Sequence, residues 1–407
     1  MTAAGLPPEL QAYLARAQTF LAEHAPVYGR AARRGLAQAE DVALGRRWQA
    51  LKAAYGFAAI TWPVEYGGAG GAVLEQILFV REEARLGFPA EYFTISLGMP
   101  VPMMLRYATD EQKRLHVPPA VRGETIWAQL FSEPSTGSDL AAVRLRARRD
   151  GDDWVLTGQK VWTTFAQYSD YGVLVARTDP SVPKHKGLTY FFVDLRAPGV
   201  TVRPIRQLHG AEDFNEVFFD EVRIPDSQRL GPVGEGFRLA VETLMIERYT
   251  AANDEAGFGP KLDAFVRLAC EQPYRGRPAI EDGRVRSAIA QTYALQQGLL
   301  AIHDKSLLEI AAGREPGPEG SIHKLASLRG RRLIATLADD LLGPAGTALD
   351  PFATPKSDFT MSWLDMPTLR IAGGTDEMLL NTIAEKILGL PQDYRPDKGV
   401  PFDSLGN

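Results

Sequence analysis

Helical and strand-like patterning are segregated along this chain rather than interleaved, and that order restricts the fold more than any single motif. Residues 8 to 25 carry Leu10, Tyr13, Leu14, Ala17 and Leu21 at helical spacing behind Pro7 and Pro8, an amphipathic helix start. Segments rich in alanine, leucine and arginine continue to about residue 125, broken by the turn-forming Trp62–Gly68. The period then changes to two. Val143, Leu145 and Ala147 alternate with polar residues, Asp150-Gly151 supplies a turn, and Trp154-Val155-Leu156 follows, a hairpin signal. Strand-like runs recur at Tyr171–Ala176, Leu188–Leu195, Val200–Ile205 and Glu216–Ile224. From Gly236 helical patterning returns and lasts to Leu390. Gly, Pro and Asp gather at 272–283, 312–320 and 343–358, dividing that stretch into roughly four long helices.

The predicted architecture is α+β and multidomain. It has an N-terminal α-helical domain (1–126), a central antiparallel β-domain (127–232) and a C-terminal four-helix bundle (233–391). A TIM barrel and a doubly wound α/β fold both need alternating strands and helices, so both are excluded. A chain of 407 residues exceeds what one hydrophobic core serves. The tail 392–407 contains Pro396, Gly399 and Pro401 and few apolar residues, and is expected to be loosely ordered.

Composition removes several function classes. Hydrophobic residues make up 45% and charged residues 23%, which leaves neither a disordered nor a membrane class. A formal charge of −5 offers no basic footprint for nucleic acid. No stretch nears the ~20 apolar residues of a membrane span, and Glu9, Arg16 and Glu23 interrupt any signal-peptide pattern. The single cysteine, Cys270, cannot form an internal disulfide, which fits a reducing compartment. A cytoplasmic protein is expected.

Familiar catalytic signatures are missing. Six histidines are scattered without metal-ligand spacing, so no metal site is expected and most read as surface or capping residues. There is no nucleophile elbow and no Walker loop. Gly67-Gly68-Ala69-Gly70-Gly71 misses G-x-G-x-x-G because position 73 is Val, and Gly231–Gly236 misses it as well. A nucleotide cofactor must be held without that fingerprint.

Two segments remain. The first is Gln129-Leu130-Phe131-Ser132-Glu133-Pro134-Ser135-Thr136-Gly137-Ser138-Asp139, followed by Gly158-Gln159-Lys160-Val161-Trp162-Thr163-Thr164. Small hydroxyl residues and backbone amides beside a strand can cradle a flavin or a pyrophosphate, with Trp162 over a ring and Thr164 at its edge. The same residues also read as turn chemistry plus a core tryptophan. The second is Gly374-Thr375-Asp376-Glu377 leading into Leu379–Leu390, by itself a helix start with acidic residues in its first turn.

In this order and spacing the segments resemble the acyl-CoA dehydrogenase family. The resemblance runs from about residue 8 to 391, through Trp62–Gly68, Glu133–Asp139, Gly158–Thr164, the strand pattern to Ile224, Ile371–Thr375 and Ile383–Pro391. It implies the same helical–β–helical architecture and FAD, with the flavin ring between the β-domain and the bundle. Ser132 falls where the family usually has a Thr bonding the flavin's pyrimidine side, and the hydroxyl is kept. Trp162 and Thr164 fall on the pair that packs against the ring and bonds near N5. Leu130, Phe131, Thr163 and Gly137 accompany them as cofactor contacts. Ser138 falls near the pyrophosphates of FAD and coenzyme A, a cofactor and substrate position. Thr375 and Glu377 match further FAD contacts.

The base needs separate treatment. Many members carry the catalytic glutamate just before the Gly-Thr of the last motif, and here that position is Gly373. A second group, resembling isovaleryl- and long-chain-specific enzymes, carries it on an earlier helix before an arginine, here Glu247-Arg248. Phe237, Ala240, Leu244, Glu247 and Ala251 form one helical stripe. A carboxylate there is desolvated and its pKa rises toward that of a general base; the alternative is a glutamate paired with a neighbouring helix. The resemblance implies that Glu247 takes the α-proton of an acyl-CoA, that Arg248 serves the substrate, and that electron-transfer flavoprotein takes the electrons. Fatty-acid or steroid side-chain catabolism is the implied setting.

Two departures bear on assembly. The family's Arg-x-x-Phe-Gly, which reaches a neighbouring subunit's FAD, aligns with Gln272-Pro273-Tyr274-Arg275-Gly276. Its Gln-x-x-Gly-Gly aligns with Asp340-Leu341-Leu342-Gly343-Pro344. An acid near pyrophosphate is unfavourable, and Pro344 removes an amide donor. Family members are usually dimers or dimers of dimers. The departures leave open a homo-oligomer in which Arg275 or Arg277 substitutes, a half-site or non-catalytic subunit of a heteromer, and an oxygen-using oxidase or hydroxylase relative.

Overall fold

The computed structural model describes residues 6–252, 262–311, 319–347 and 357–405; the side chains of 247–252 and of a few positions near the later chain gaps lie outside the described residues. The chain groups into two compact units, Ala12–Thr250 with Asp393–Asn407, and Met1–Gln11 with Ala251–Gln392.

The larger unit begins with helices α1 (Pro8–Tyr28), α2 (Arg30–Arg33), α3 (Gln38–Ala54), α4 (Val73–Leu86), α5 (Glu91–Gly98), α6 (Pro100–Tyr107) and α7 (Asp110–Val121). α1 buries Tyr13, Leu14, Ala17 and Leu21 of the expected stripe together with Phe20, while Leu10 stays half-buried. These meet Trp48, Phe57, Phe79 and Phe88 in an aromatic core, where the Trp48 and Phe88 rings stack 4.2 Å apart. The Trp62–Gly68 turn depends on glycine. Gly67 has φ 90°, and a Cβ on Gly68 would lie 2.3 Å from the Trp62 carbonyl oxygen.

The sheet follows: β1 (Trp127–Leu130), β2 (Arg146–Asp150), β3 (Asp153–Thr164), β4 (Tyr171–Arg177), β5 (Leu188–Asp194), β6 (Val200–Ile205), β7 (Phe214–Pro225) and β8 (Arg229–Leu230). Each predicted run is a strand. Asp150 pairs with Asp153 across the predicted hairpin, whose Gly151 has φ 63°. The order is β6-β7-β3-β2-β4-β5-β8, with β1 beside β4. Antiparallel pairing dominates, but β1 runs parallel to β4. β1 arrives from α7 rather than through a hairpin, so a parallel entry needs no tight turn.

α8 (Gly236–Ala252) closes this core. Leu239 and Ala240 are fully buried against Val173, Val175, Tyr190 and Phe192, with Phe237, Leu244 and Ile246 partly buried. The buried face is thus centred on Leu239 and Thr243, slightly rotated from the predicted stripe. The Thr243 hydroxyl pairs with Tyr190 OH at 3.0 Å.

The tail corrects an expectation: although most of its residues are exposed, Asp397 and Pro401–Asp403 anchor it on the β-domain. Pro401 forms a β-bridge with Pro183, and the Phe402 and Asp403 amides each donate to a carbonyl of the β4–β5 loop, Val182 O and Pro180 O, at 3.0 Å. Polar composition masks the order because one aromatic and one carboxylate supply its anchors.

The smaller unit contains α9 (Leu262–Glu271), the hairpin β9 (Pro273–Tyr274) and β10 (Arg277–Pro278), then α10 (Gly283–Ala311), α11 (Glu319–Leu342), α12 (Ser357–Ile371) and α13 (Asp376–Thr382). Phe265, Leu268, Val285, Ile334, Ala338 and Phe359 form its core. These long helices match the helical bundle expected here, although α8, counted in it by the sequence, groups with the larger unit, and most of the expected breaks at 312–320 and 343–358 lie outside the described residues. Among the described residues no helix is long and apolar enough to cross a membrane, and no cluster of His, Cys, Asp or Glu could hold a metal.

Candidate functional site

The two β-domain segments singled out in the sequence lie side by side. β1 ends on Leu130, which like the following Phe131 is buried, and the Val161 amide donates to Ser132 O at 2.9 Å. Ser132 stays half-buried, whereas Gly137 and Ser138 are exposed. In β3 the pairing with β7 slips between Lys160 and Thr163. That bulge holds Trp162 at φ 58° and leaves it 59% exposed. Phe214 stands edge-on to its ring, centroids 6.1 Å apart. Thr163 is buried and Thr164 half-buried. A bulge re-aims a side chain out of a strand's alternation. Here it turns the largest apolar ring of the segment to the surface.

Beneath this surface lies an ion pair that residue types alone did not announce. Lys160 is fully buried and Glu133 nearly so. The three ammonium protons go to Glu133 Oε1 at 2.9 Å, Phe131 O at 3.0 Å and Val175 O at 2.9 Å. Glu133 also accepts from the amides of Arg144 at 2.7 Å and Leu145 at 2.9 Å. Burial pushes the Lys160 pKa down, and the Glu133 carboxylate opposes that shift. Every donor is satisfied, the condition a buried pair must meet. The pair fastens the Leu130–Ser132 end of β1 to β3. A reader of sequence could have found it only by asking what neutralises a lysine inside a strand.

A second network holds the other end of the bulge. Phe165 has φ 52°, and its amide donates to Asp213 O at 2.7 Å. Gln38 from α3 donates to Asp213 Oδ1 at 2.6 Å, and Asn215 donates to Thr163 O at 3.0 Å. Beside Ser138, Lys184 pairs with Asp139 at 2.6 Å. Buried Arg177 donates to Ala141 O at 2.6 Å and Val143 O at 3.0 Å; burial lowers its pKa to about 10.

The remaining predicted residues divide. Thr375 caps α13, its hydroxyl oxygen accepting from the Met378 amide at 3.2 Å. Gly373 and Gly374 precede it at φ 65° and 97°, and Lys324 donates to Gly374 O at 2.7 Å. Glu377 is exposed on α13. These belong to the smaller unit and the β-domain residues to the larger. Position 247 lies on α8 one turn beyond Thr243, but the Glu247 and Arg248 side chains lie outside the described residues. The other α8 carboxylate, Glu242, is committed: Arg106 pairs with it and Tyr107 OH donates to it at 2.5 Å. The expectation that most histidines lie at the surface holds for His185, whereas His24, His116, His209 and His323 are half-buried and the His303 side chain lies outside the described residues. The His116 ring lies 5.6, 5.1 and 5.3 Å from those of Trp127, Tyr171 and Phe192. Burial lowers its pKa.

The three acyl-CoA dehydrogenase domain families match in sequence: the N-terminal domain over residues 7–124, the middle domain over 128–222 and the C-terminal domain over 234–388. The chain belongs to the acyl-CoA dehydrogenase family. It is therefore an oxidoreductase, of a family whose members act on acyl-CoA thioesters and are flavoproteins. It is 34% identical over 356 residues to the acyl-CoA dehydrogenase IpdE1 of Mycobacterium tuberculosis, covering 86% of this chain and 89% of that protein. It is 37% identical over 343 residues to FadE34 of the same organism, covering 83% of this chain but only 45% of that protein. Its fold matches a chain of the ChsE4–ChsE5 complex from M. tuberculosis with TM-score 0.75 at 25% identity, covering 96% of this chain and 99% of that one.

The residues present fit a flavin. An apolar ring held 59% exposed at a left-handed backbone position is a platform for a planar aromatic. The half-buried Ser132, whose carbonyl accepts from the amide of Val161 next to Trp162, carries a hydroxyl that suits the polar edge of such a ring.

Proposed function

We propose that this chain catalyses the α,β-dehydrogenation of an acyl-CoA thioester, with FAD held in the larger unit by Leu130, Phe131, Ser132, Gly137, Ser138, Trp162, Thr163 and Thr164; Thr375 and Glu377 are FAD-contact assignments within the smaller unit. The observation that carries the reading is the bulged Trp162 ring, offered to the surface next to the Ser132 loop. The thioester carbonyl acidifies its α-carbon, and Glu247 takes the α-proton as the general base. Glu242 cannot compete, because Arg106 and Tyr107 hold it, and Gly373 has no side chain to offer. Ser138 and Arg248 bind the coenzyme A portion and orient the acyl group for that transfer. FAD held by these residues would supply the acceptor for the hydride leaving the β-carbon, with an electron-transfer flavoprotein as the onward electron acceptor. The setting is cytoplasmic.

Glu247→Gln tests the assignment. It retains flavin and acyl-CoA affinity while turnover falls by about 10²–10⁴-fold, the range for a lost general base. Near-normal turnover removes Glu247 from the mechanism.

A second reading concerns assembly. Arg275 and Gly276 form the tip of the β9–β10 hairpin, and Asp340 is exposed near the end of α11; neither stretch carries the family's FAD-reaching Arg or Gln. A chain of similar fold is known in a complex named for two proteins, ChsE4 and ChsE5. This chain then works as one member of an unlike pair, its partner supplying the missing contacts. Flavin-poor protein expressed alone and rescued by a co-expressed paralogue supports this; a fully active homo-oligomer with one tight FAD per chain refutes it.

A further inference from the structure

The ordered tail reaches the loop that carries Ser138. Two cations hold the segment that follows this residue. Lys184 grips its start at Asp139, Nζ to Oδ2 2.6 Å, and Arg177 grips its end through the carbonyls of Ala141 and Val143. The tail engages both. Asp397 lies 2.6 Å from the same Lys184 nitrogen, and the Phe402 ring covers the Arg177 guanidinium, 3.8 Å from ring centroid to Cζ. Arg144, just beyond the segment, sits 5.5 Å from the same ring. Backbone bonds from Phe402 to Val182 and from Asp403 to Pro180 fix the tail to the loop that presents Lys184.

We propose that residues 393–405 form a strap whose Asp397 and Phe402 act as positioning residues for the Ser138–Val143 segment, and through it for the pyrophosphate of coenzyme A. The buried Arg177 guanidinium donates to carbonyls, feels the nearby Glu133, Asp139 and Asp179 carboxylates, and gains a further favourable contact from the aromatic face of Phe402. Lys184 shared by two carboxylates is held in one rotamer, so the Asp139 backbone is held too. Neither tail residue touches the reacting atoms. Their effect falls on binding of the coenzyme portion, not on proton transfer. The strap rests on the acyl-CoA reading for its ligand, but its structural half stands apart from it.

The test compares the full-length chain with the Asp397→Asn, Phe402→Ala double variant by hydrogen exchange and by titration with coenzyme A. Removing one cation–π contact and one ion pair is expected to speed amide exchange across residues 139–145 and raise the coenzyme A dissociation constant by about tenfold. Exchange in β4 and β5 stays unchanged, and Phe402→Tyr, which keeps the ring, restores both values. Unchanged exchange at 139–145 overturns the strap, as does faster exchange with undiminished coenzyme A affinity. A wild-type chain that binds coenzyme A with the expected contrast yet reduces no flavin refutes the reaction and leaves the strap standing. A wild-type chain that binds no coenzyme A overturns both.

Discussion

The Ser132–Trp162 corner of the β-domain and the Gly373–Glu377 corner of the smaller unit are both read as flavin contacts, yet they are built by different means. The first is clamped from below. Lys160 and Glu133 are buried, every ammonium proton is used, and sheet register fixes the loop on one side and the bulge on the other. The second is shaped by backbone freedom. Two successive glycines at φ 65° and 97° turn the chain into α13, Thr375 caps the helix, and Lys324 holds the turn by its carbonyls. A clamp of buried charge concentrates its energy in one pair, whereas a glycine turn spreads a smaller energy over several positions. The difference predicts how each corner fails.

The largest effect is expected at the clamp. Lys160→Met leaves Glu133 buried without its cation and costs about 3–5 kcal/mol, the range for breaking a buried pair. Thermal or denaturant unfolding measures it. The double change Lys160→Met, Glu133→Gln recovers part of the loss; equal destabilisation in single and double variants would mean that packing, not charge, is at stake. Next comes Trp162→Ala, which removes the ring without disturbing the clamp. FAD release is expected to rise by about 10- to 100-fold, matching loss of a large aromatic contact, with the unfolding midpoint of the flavin-free protein nearly unchanged. Unaltered FAD retention and an unaltered visible spectrum would place the ring elsewhere. The smallest is Gly374→Ala. An added Cβ meets only Leu379 Cδ2 at 3.6 Å, an ordinary contact, so the cost is backbone strain alone, about 1–2 kcal/mol. A neutral effect in an unfolding measurement would show that this turn relaxes at no cost.

The same contrast explains what was legible in the sequence. Glycine turns, caps and period-two strands are local, and Gly151, Thr375 and the strand runs could be read from neighbours in the chain. The clamp is not local: Lys160 finds Glu133 27 residues earlier, and a lysine in a strand ordinarily reads as a solvent position. Trp162 allowed both a core and a cofactor reading because alternation does not encode the slip between Lys160 and Thr163 that exposes it. The tail was misread since its order depends on Phe402 meeting Arg177, a contact invisible to composition. On α8 the expected stripe holds in part: Ala240 is buried and Phe237 and Leu244 half-buried, but Leu239 and Thr243, bonded to Tyr190 OH, are buried as well, and the side chains of Glu247 and Ala251 lie outside the described residues. The departures at Gln272–Gly276 and Asp340–Pro344 were visible only through the family resemblance.

The central claim is that the clamped β-domain corner holds FAD and that Glu247 deprotonates an acyl-CoA beside it. Anaerobic titration of the purified protein, alone and with a co-expressed partner, tests this most directly. The panel runs across straight-chain, branched, aromatic and steroid-bearing acyl-CoAs while the flavin absorbance is followed. The account predicts yellow protein that bleaches stoichiometrically with at least one thioester, and a Glu247→Gln variant that binds the same thioester and stays yellow. Protein that retains no flavin in either preparation, or a Glu247→Gln variant that bleaches as fast as wild type, would contradict it.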